Sequence, residues 1–140
     1  MKFMLMMNAP RGDGDWNVMS WPAGDFAAHI KFMVQFNEEL KRAGQLVGAE
    51  GLASPGQARL VRAGKAGVPE VTDGPFPEAK EFLAGYWIVD VETPEQAYAL
   101  AARASAAPGP GGVPLNMPLE VRQVMSGPPD SDAHCPGTRD

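Results

Sequence analysis

Residues 71–91 read VTDGPFPEAKEFLAGYWIVDV, and this stretch decides the fold. An Asp-Gly-Pro-Phe turn that begins at Asp73 separates a short extended segment from a strand predicted at 85–91. In that strand, bulky apolar residues occupy both alternating sets of positions: Tyr86, Trp87, Ile88, Val89 and Val91. Because successive residues of a strand point to opposite sides, both faces of this strand are largely apolar.

Two amphipathic helices are predicted, one before and one after this stretch. Between 25 and 43 the apolar residues recur at three- and four-residue steps, which is the spacing of one helical face: Phe26, Ile30, Met33, Phe36 and Leu40. Gly44 then supplies a left-handed stop. The second helix, 94–106, is indicated by Thr93-Pro94-Glu95-Gln96, which combines an N-cap hydroxyl, a proline at the first helical position and a glutamine three residues after the cap.

The remaining periodic segments predict short strands at 2–7, 45–52, 57–63, 68–72 and 119–124. Ser54-Pro55-Gly56 is typical of a turn, so the second and third of these segments are predicted to form a hairpin. The order of elements predicts an α+β, ferredoxin-like βαββαβ sheet with an extra hairpin strand and with its helices on one face. The other face must then be either polar and wet or hidden by a partner.

Segments rich in glycine and proline predict the loops and the domain boundary. They lie at 8–22 and 107–118, the second of which is predicted to be flexible or polyproline-like. Residues 126–140 contain too few apolar side chains to pack and are predicted to be disordered. A single domain at 1–125 therefore accounts for the rest of the chain.

Composition excludes several classes of protein. The net charge of -5 and the pI near 5.0 argue against binding to nucleic acid, which requires clustered Lys and Arg. A single cysteine, Cys135, excludes an internal disulfide framework and suits a reducing cytoplasm, which is the predicted location. The apolar opening at 1–7 is too short for a signal peptide or a membrane span.

The Asp-Gly-Pro-Phe turn, followed by Lys80-Glu81 and a strand, resembles the signature of the DGPF proteins in the YCII-related family. The resemblance covers 2–124, with further likeness in 36–52 and 119–124, whereas the two loops depart from the compact connections of the family. It implies a homodimer, a dimeric α/β barrel in which the open faces of two sheets turn toward each other. Relatives occur alongside sigma factors, which implies a sigma-factor-related protein partner.

Two carboxylates are the first candidates for a site. Asp73 can cap its turn by bonding downstream amides, or can form one wall of a pocket as an acid, a base or a ligand anchor. Glu50 lies between two glycines, Gly48 and Gly51, on a predicted strand, and packing alone does not explain a carboxylate there. This segment is also similar to the family pattern. Glu50 and Asp73 are therefore the candidate acid or base residues.

Charged neighbours complete the predicted ligand-binding set. Lys80 and Glu81 either join Asp73 at the mouth of a cleft or form a solvated turn. Arg122 either binds a carboxylate or phosphate, or pairs with Glu120 across the period-two spacing of the last strand. His29 is interpreted as a helix-surface or edge-of-core histidine, although the resemblance invites comparison with a His-Asp arrangement.

Two functions from different classes fit these residues. The first is a dimeric accessory module that binds a small molecule or a protein partner without turning it over. The second is a small enzyme without a cofactor that uses Asp73 or Glu50 as general acid or base. The first is preferred, because the sequence contains no nucleophile–base pair, phosphate loop or metal quartet, and neither a cofactor nor a metal is predicted.

Overall fold

In a computed structural model, the described residues are 1–11, 20–76 and 78–127. These residues form strands and helices with the following bounds: β1 (Lys2–Pro10), α1 (Ala23–Arg42), β2 (Leu46–Gly51), β3 (Arg59–Ala63), β4 (Pro69–Asp73), β5 (Glu81–Asp90), α2 (Pro94–Ser105) and β6 (Leu119–Gln123). Most of the loop predicted at 8–22 and nearly all of the predicted disordered tail at 126–140 lie outside the described residues.

The described strands form a four-stranded sheet in the order β2-β5-β1-β6, in which all neighbours are antiparallel. This order and the two helices establish an α+β protein and are compatible with the predicted ferredoxin-like fold. The strong strand predicted at 85–91 is longer than expected, since β5 begins at Glu81. It is an inner strand of the sheet, between β2 and β1.

The predicted hairpin between 45–52 and 57–63 is wrong. β2 pairs with β5 instead, with Glu50 opposite Tyr86, and a short 3-10 turn at Pro55–Gln57 carries the chain away. β3 pairs with β4 to form a separate two-stranded sheet, so the extra hairpin is not a strand of the main sheet. We call this hairpin, 59–73, the arm. Its turn requires Gly64, because a Cβ there would lie 2.4 Å from the carbonyl oxygen of Val68.

The hydrophobic core lies between one face of the main sheet and the two helices. Its buried residues come from β1, β5, α1 and α2: Phe3, Leu5, Met7, Phe36, Leu40, Trp87, Val89, Ala97, Leu100, Ala101 and Ala104. The indole N–H of Trp87 donates to Asn37 Oδ1 at 2.7 Å, which satisfies the one polar atom that this side chain brings into the core. The ring of Phe36 packs edge-on against Trp87.

The opposite face of the main sheet carries the alternate residues of the same strands. Among the described residues, the two helices pack against the core side of the sheet. We call the opposite side the open face. Met4 lies opposite Ile88, and Met6 lies opposite Tyr86. All four side chains are half-buried by their neighbours in the sheet. The alternation predicted for β5 is therefore confirmed, with Trp87 and Val89 buried and their neighbours on the open side.

The helix boundaries follow the predicted signals closely. Thr93 caps α2, since its hydroxyl accepts from the Gln96 amide at 3.3 Å, and the Gln96 side chain accepts from the Glu92 amide at 2.8 Å. Gly44 ends α1 with a φ of 70°, a conformation that favours glycine. Among the described residues, neither helix has the length and the apolar content that crossing a bilayer requires.

Replacing Thr93 with alanine tests the cap. The variant leaves the Gln96 amide without its acceptor, so we expect the free energy of unfolding to fall by about 1 kcal/mol. Urea denaturation followed by circular dichroism measures this change. Thr72→Ala, on the exposed arm, is the matched control and should change the free energy by less than half as much. Equal effects of the two variants would contradict the role of the cap.

Candidate functional site

The open face has an apolar centre and a charged rim. The centre consists of Met4, Met6, Tyr86 and Ile88. On the rim, Glu50 is contributed by β2, where it lies beside Tyr86, and Glu120 and Arg122 are contributed by β6, where they lie beside Met6 and Met4. A half-buried apolar surface surrounded by exposed charges is the arrangement of a ligand cleft or a subunit contact.

Glu50 and Arg122 lie at opposite edges of this face, because β2 and β6 are the two outer strands. Three strand spacings separate them, which amounts to about 14 Å across the sheet. A single chain therefore places both predicted residues on one face but does not bring them together. The period-two argument that put Glu120 and Arg122 on the same side is consistent with the register.

Arg122 forms the ion pair with Glu120 that was predicted as the alternative to ligand binding. Its guanidinium lies 4.0 Å from the carboxylate of Glu120, and both side chains are more than half exposed. An exposed pair at this distance contributes at most about 1 kcal/mol, since water screens it. Arg122 therefore remains able to exchange this partner for a bound carboxylate or phosphate.

Asp73 lies at the end of the arm, not in an enclosed cavity. Its side chain is 96% exposed, and Oδ1 is 3.7 Å from Nε of Arg59 on the facing strand. Among the described residues its carboxylate accepts no hydrogen bond from a downstream amide, so it does not cap the turn. The Gly74 amide holds the turn by donating to the carbonyl of Ala58 at 3.0 Å.

Arg11 is a structural residue beside the Asp-Gly-Pro-Phe turn that the sequence analysis missed. Its guanidinium donates to the carbonyl oxygens of Phe76 at 2.8 Å and Ala79 at 3.2 Å, and its backbone amide donates to Lys80 at 2.9 Å. Arg11 therefore fastens the segment after the Asp-Gly-Pro-Phe turn to the end of β1. The two partners are 65 and 68 positions away in the sequence, so no local pattern could have identified them.

Lys80 and Glu81 are both exposed at the start of β5. Glu81 lies opposite Pro10 at the end of β1, and no described ion pair joins either residue to Asp73. The solvated-turn interpretation therefore describes a single chain better than a charged cluster does. Their position at the end of the sheet still leaves them beside the segment that Arg11 fastens.

His29 is buried at the edge of the core, 6% exposed. Its Nδ1 is 3.0 Å from the carbonyl oxygen of Pro108, and its ring meets Trp21 edge-on at 5.4 Å between centroids. One turn earlier in α1, Asp25 accepts from the amide of Gly111 at 3.0 Å. These contacts fasten the loop at 107–118 to α1, so that the loop is hydrogen-bonded where a flexible excursion was predicted.

The described contacts of His29 do not include Asp73, so they provide no His-Asp pair. Within the same described part of the chain, no three His, Cys, Asp or Glu side chains converge as metal ligands would. The polar residues of the chain therefore divide into two groups. Arg11 and His29 hold backbone segments in place, and the charges on the rim of the open face are available to a ligand.

Replacing Arg11 with alanine tests the fastening of the turn. Each lost hydrogen bond is worth about 0.5–1.5 kcal/mol, so the amides of Gly74 and Ala79 should exchange with deuterium about tenfold faster or more. Hydrogen–deuterium exchange with mass spectrometry measures this. Arg42→Ala is the control, because the described hydrogen bond of Arg42 stays within its own helix, to the carbonyl oxygen of Glu38 at 3.4 Å. Unchanged exchange at both amides in the Arg11 variant would refute the fastening.

Comparison with known proteins agrees with this architecture. No curated protein matches the chain. A family model for the YCII-related domain matches residues 1–112, which include β1, the two helices, Glu50 and the Asp-Gly-Pro-Phe turn. The match ends before β6, so Glu120 and Arg122 lie outside it. Because the model matches well over half of the sequence, the chain belongs to the YCII-related family.

Proposed function

We propose that the protein is a homodimeric module that binds a small molecule in a hollow between two open faces. The observation that carries this proposal is the open face itself, with Met4, Met6, Tyr86 and Ile88 at its centre and charges at its rim. The dimeric α/β barrel that the family resemblance implies is the assembly that would cover this face with a second copy.

The hydrophobic effect supports the covering of this face. Apolar surface removed from water contributes about 25 cal/mol per Å², and the centre of the open face is continuous across β1 and β5. The residues are already half-buried by their neighbours, so little side-chain entropy is lost when a second copy covers them. Charges at the rim stay hydrated at the edge of such a contact.

The rim supplies the groups that would orient a ligand. Arg122 offers the fork geometry that binds carboxylates and phosphates, and Glu50 accepts hydrogen bonds from amines and hydroxyls. Asp73, Lys80 and Glu81 lie at or beyond the end of the sheet where β5 begins, and they would line the entrance. A small polar metabolite with an anionic group fits this set of side chains.

The binding function is favoured over the enzyme. Asp73 is solvated and its described partner is Arg59, while Glu50 is exposed at an edge, so neither carboxylate is placed beside a second reactive group within one chain. General acid–base catalysis needs a side chain held within hydrogen-bond reach of the reacting proton, and an exposed carboxylate is not held in this way. The sigma-factor-related partner that the resemblance implies stays a prediction, because no described contact bears on it.

Introducing a charge at the centre of the open face tests the dimer. Met6→Glu would bury a carboxylate in the subunit contact, so we expect the dissociation constant of the dimer to rise about a hundredfold or more. Sedimentation velocity at micromolar concentration measures this. Val34→Glu is the control, because Val34 is a 55% exposed valine on α1, on the other side of the sheet. A wild-type protein that sediments as a single chain would overturn the proposal.

Neutralising the rim tests the ligand site. A metabolite panel is screened by thermal shift against the wild-type protein, and Glu50→Gln and Arg122→Gln are expected to weaken any hit about tenfold. Glu38→Gln and Lys41→Gln are the controls, since these residues pair with each other on the surface of α1. Consumption of the hit by the wild-type protein, lost in Glu50→Gln while the dimer persists, would favour the enzyme instead.

A further inference from the structure

The arm presents an apolar side that nothing in its own hairpin covers. Val61 lies opposite Val71, and these side chains are 61% and 56% exposed. Ala63 and Pro69 form the next pair on the same side, and the ion pair of Arg59 with Asp73 borders this apolar part at its other end. An isolated two-stranded hairpin is only marginally stable in water, so an arm of this kind gains stability when its apolar side packs against another surface.

A complementary surface lies at the opposite edge of the main sheet. A shallow groove runs between α2 and β6, and we call it the α2–β6 groove. Its lining is mostly apolar and includes Tyr98, Ala101, Ser105, Leu119 and Val121. Among the described strands, β6 has no neighbour on its outer side, so its backbone groups there are free to pair with an added strand.

The size of the open face indicates that a dimer needs more contact than this face provides. β1 and β5 pair over nine residues and the two outer strands over about five, so the sheet covers a footprint of about 450 Å² per chain. A stable interface buries about 800 Å² per partner. A second contact outside the sheet would bring the buried area closer to that size.

Symmetry decides which surfaces can meet. When two identical sheets face each other about a twofold axis parallel to their strands, the β2 edge of one lies over the β6 edge of the other. The arm leaves the sheet between the end of β2 and the start of β5, which is at the β2 edge. An axis perpendicular to the strands would instead place β2 over β2 and keep each arm away from the groove.

We propose that the arm of each chain docks against the α2–β6 groove of a second copy of this chain. The contact is made twice in a closed dimer, and it adds the missing area on both sides of the hollow. This inference rests on the proposed homodimer and adds its symmetry axis and its second contact.

In the docked dimer, each binding site is lined by residues of both chains. Glu50, on the β2 edge, then lies in the same row as Glu120 of the partner subunit, and the partner's Arg122 follows two residues along β6. Charges from the two edges, which are three strand spacings apart within one chain, then line the same side of the hollow. A ligand with an amine or hydroxyl at one end and a carboxylate or phosphate at the other is the class that this composite site would accept.

Cross-linking between differently marked chains tests the docking. Val71→Cys and Tyr98→Cys are each made in a Cys135→Ser background, mixed in equal amounts, and treated with a short bis-maleimide. We expect a covalent dimer on denaturing gels, formed several-fold more efficiently than from Val71→Cys mixed with Val34→Cys, whose valine lies on α1. A yield no higher than this control overturns the docking.

A second measurement distinguishes failure of the docking from failure of the dimer. Val61→Asp is expected to raise the dissociation constant of the dimer about tenfold, and Thr72→Asp, on the other side of the arm, is expected to leave it unchanged. A dimer that persists without cross-links and is insensitive to Val61→Asp refutes the docking but leaves the binding module intact. A wild-type protein that is a single chain refutes both.

Discussion

The antiparallel pairing of β1 with β5 is the constraint on which the rest of the structure depends. Its register sets Leu5 opposite Trp87 on the side of the helices, and Met6 opposite Tyr86 on the open face. A slip by one residue would exchange these two sets, because side chains alternate along a strand. The core and the centre of the open face follow from this register, and the registers of β2 with β5 and of β6 with β1 then place the rim charges.

Two polar side chains, Arg11 and His29, hold irregular backbone segments in place. Arg11 fastens the segment after the Asp-Gly-Pro-Phe turn, and His29 fastens the proline- and glycine-rich loop to α1. In both cases the partner is a carbonyl oxygen that would otherwise depend on water. Irregular segments of this kind cannot satisfy their own carbonyls through a ladder, so a long side chain on a regular element does so.

The sequence predicted the local features well and the distant pairings poorly. Both helices and the cap at Thr93 were located by periodicity and by short motifs, because those signals lie within a few residues of one another. The pairing of β2 with β5 was missed, since turn residues after β2 suggested a local hairpin and strand order is set by contacts across the chain. The period-two spacing placed Glu120 and Arg122 on one face, in agreement with the register, but the distance of Arg122 from Glu50 across the sheet was not predictable.

Glu50 and Arg122 carry opposite charges at opposite edges of the open face. Opposite charges at the two edges of one sheet are too far apart to hold the same small molecule, and their attraction through water at about 14 Å is weak. In the proposed dimer, a twofold axis parallel to the strands would place the β2 edge of one chain over the β6 edge of the other. Such a dimer would form two equivalent sites without a deep cavity in either chain, because each site takes one edge from each copy.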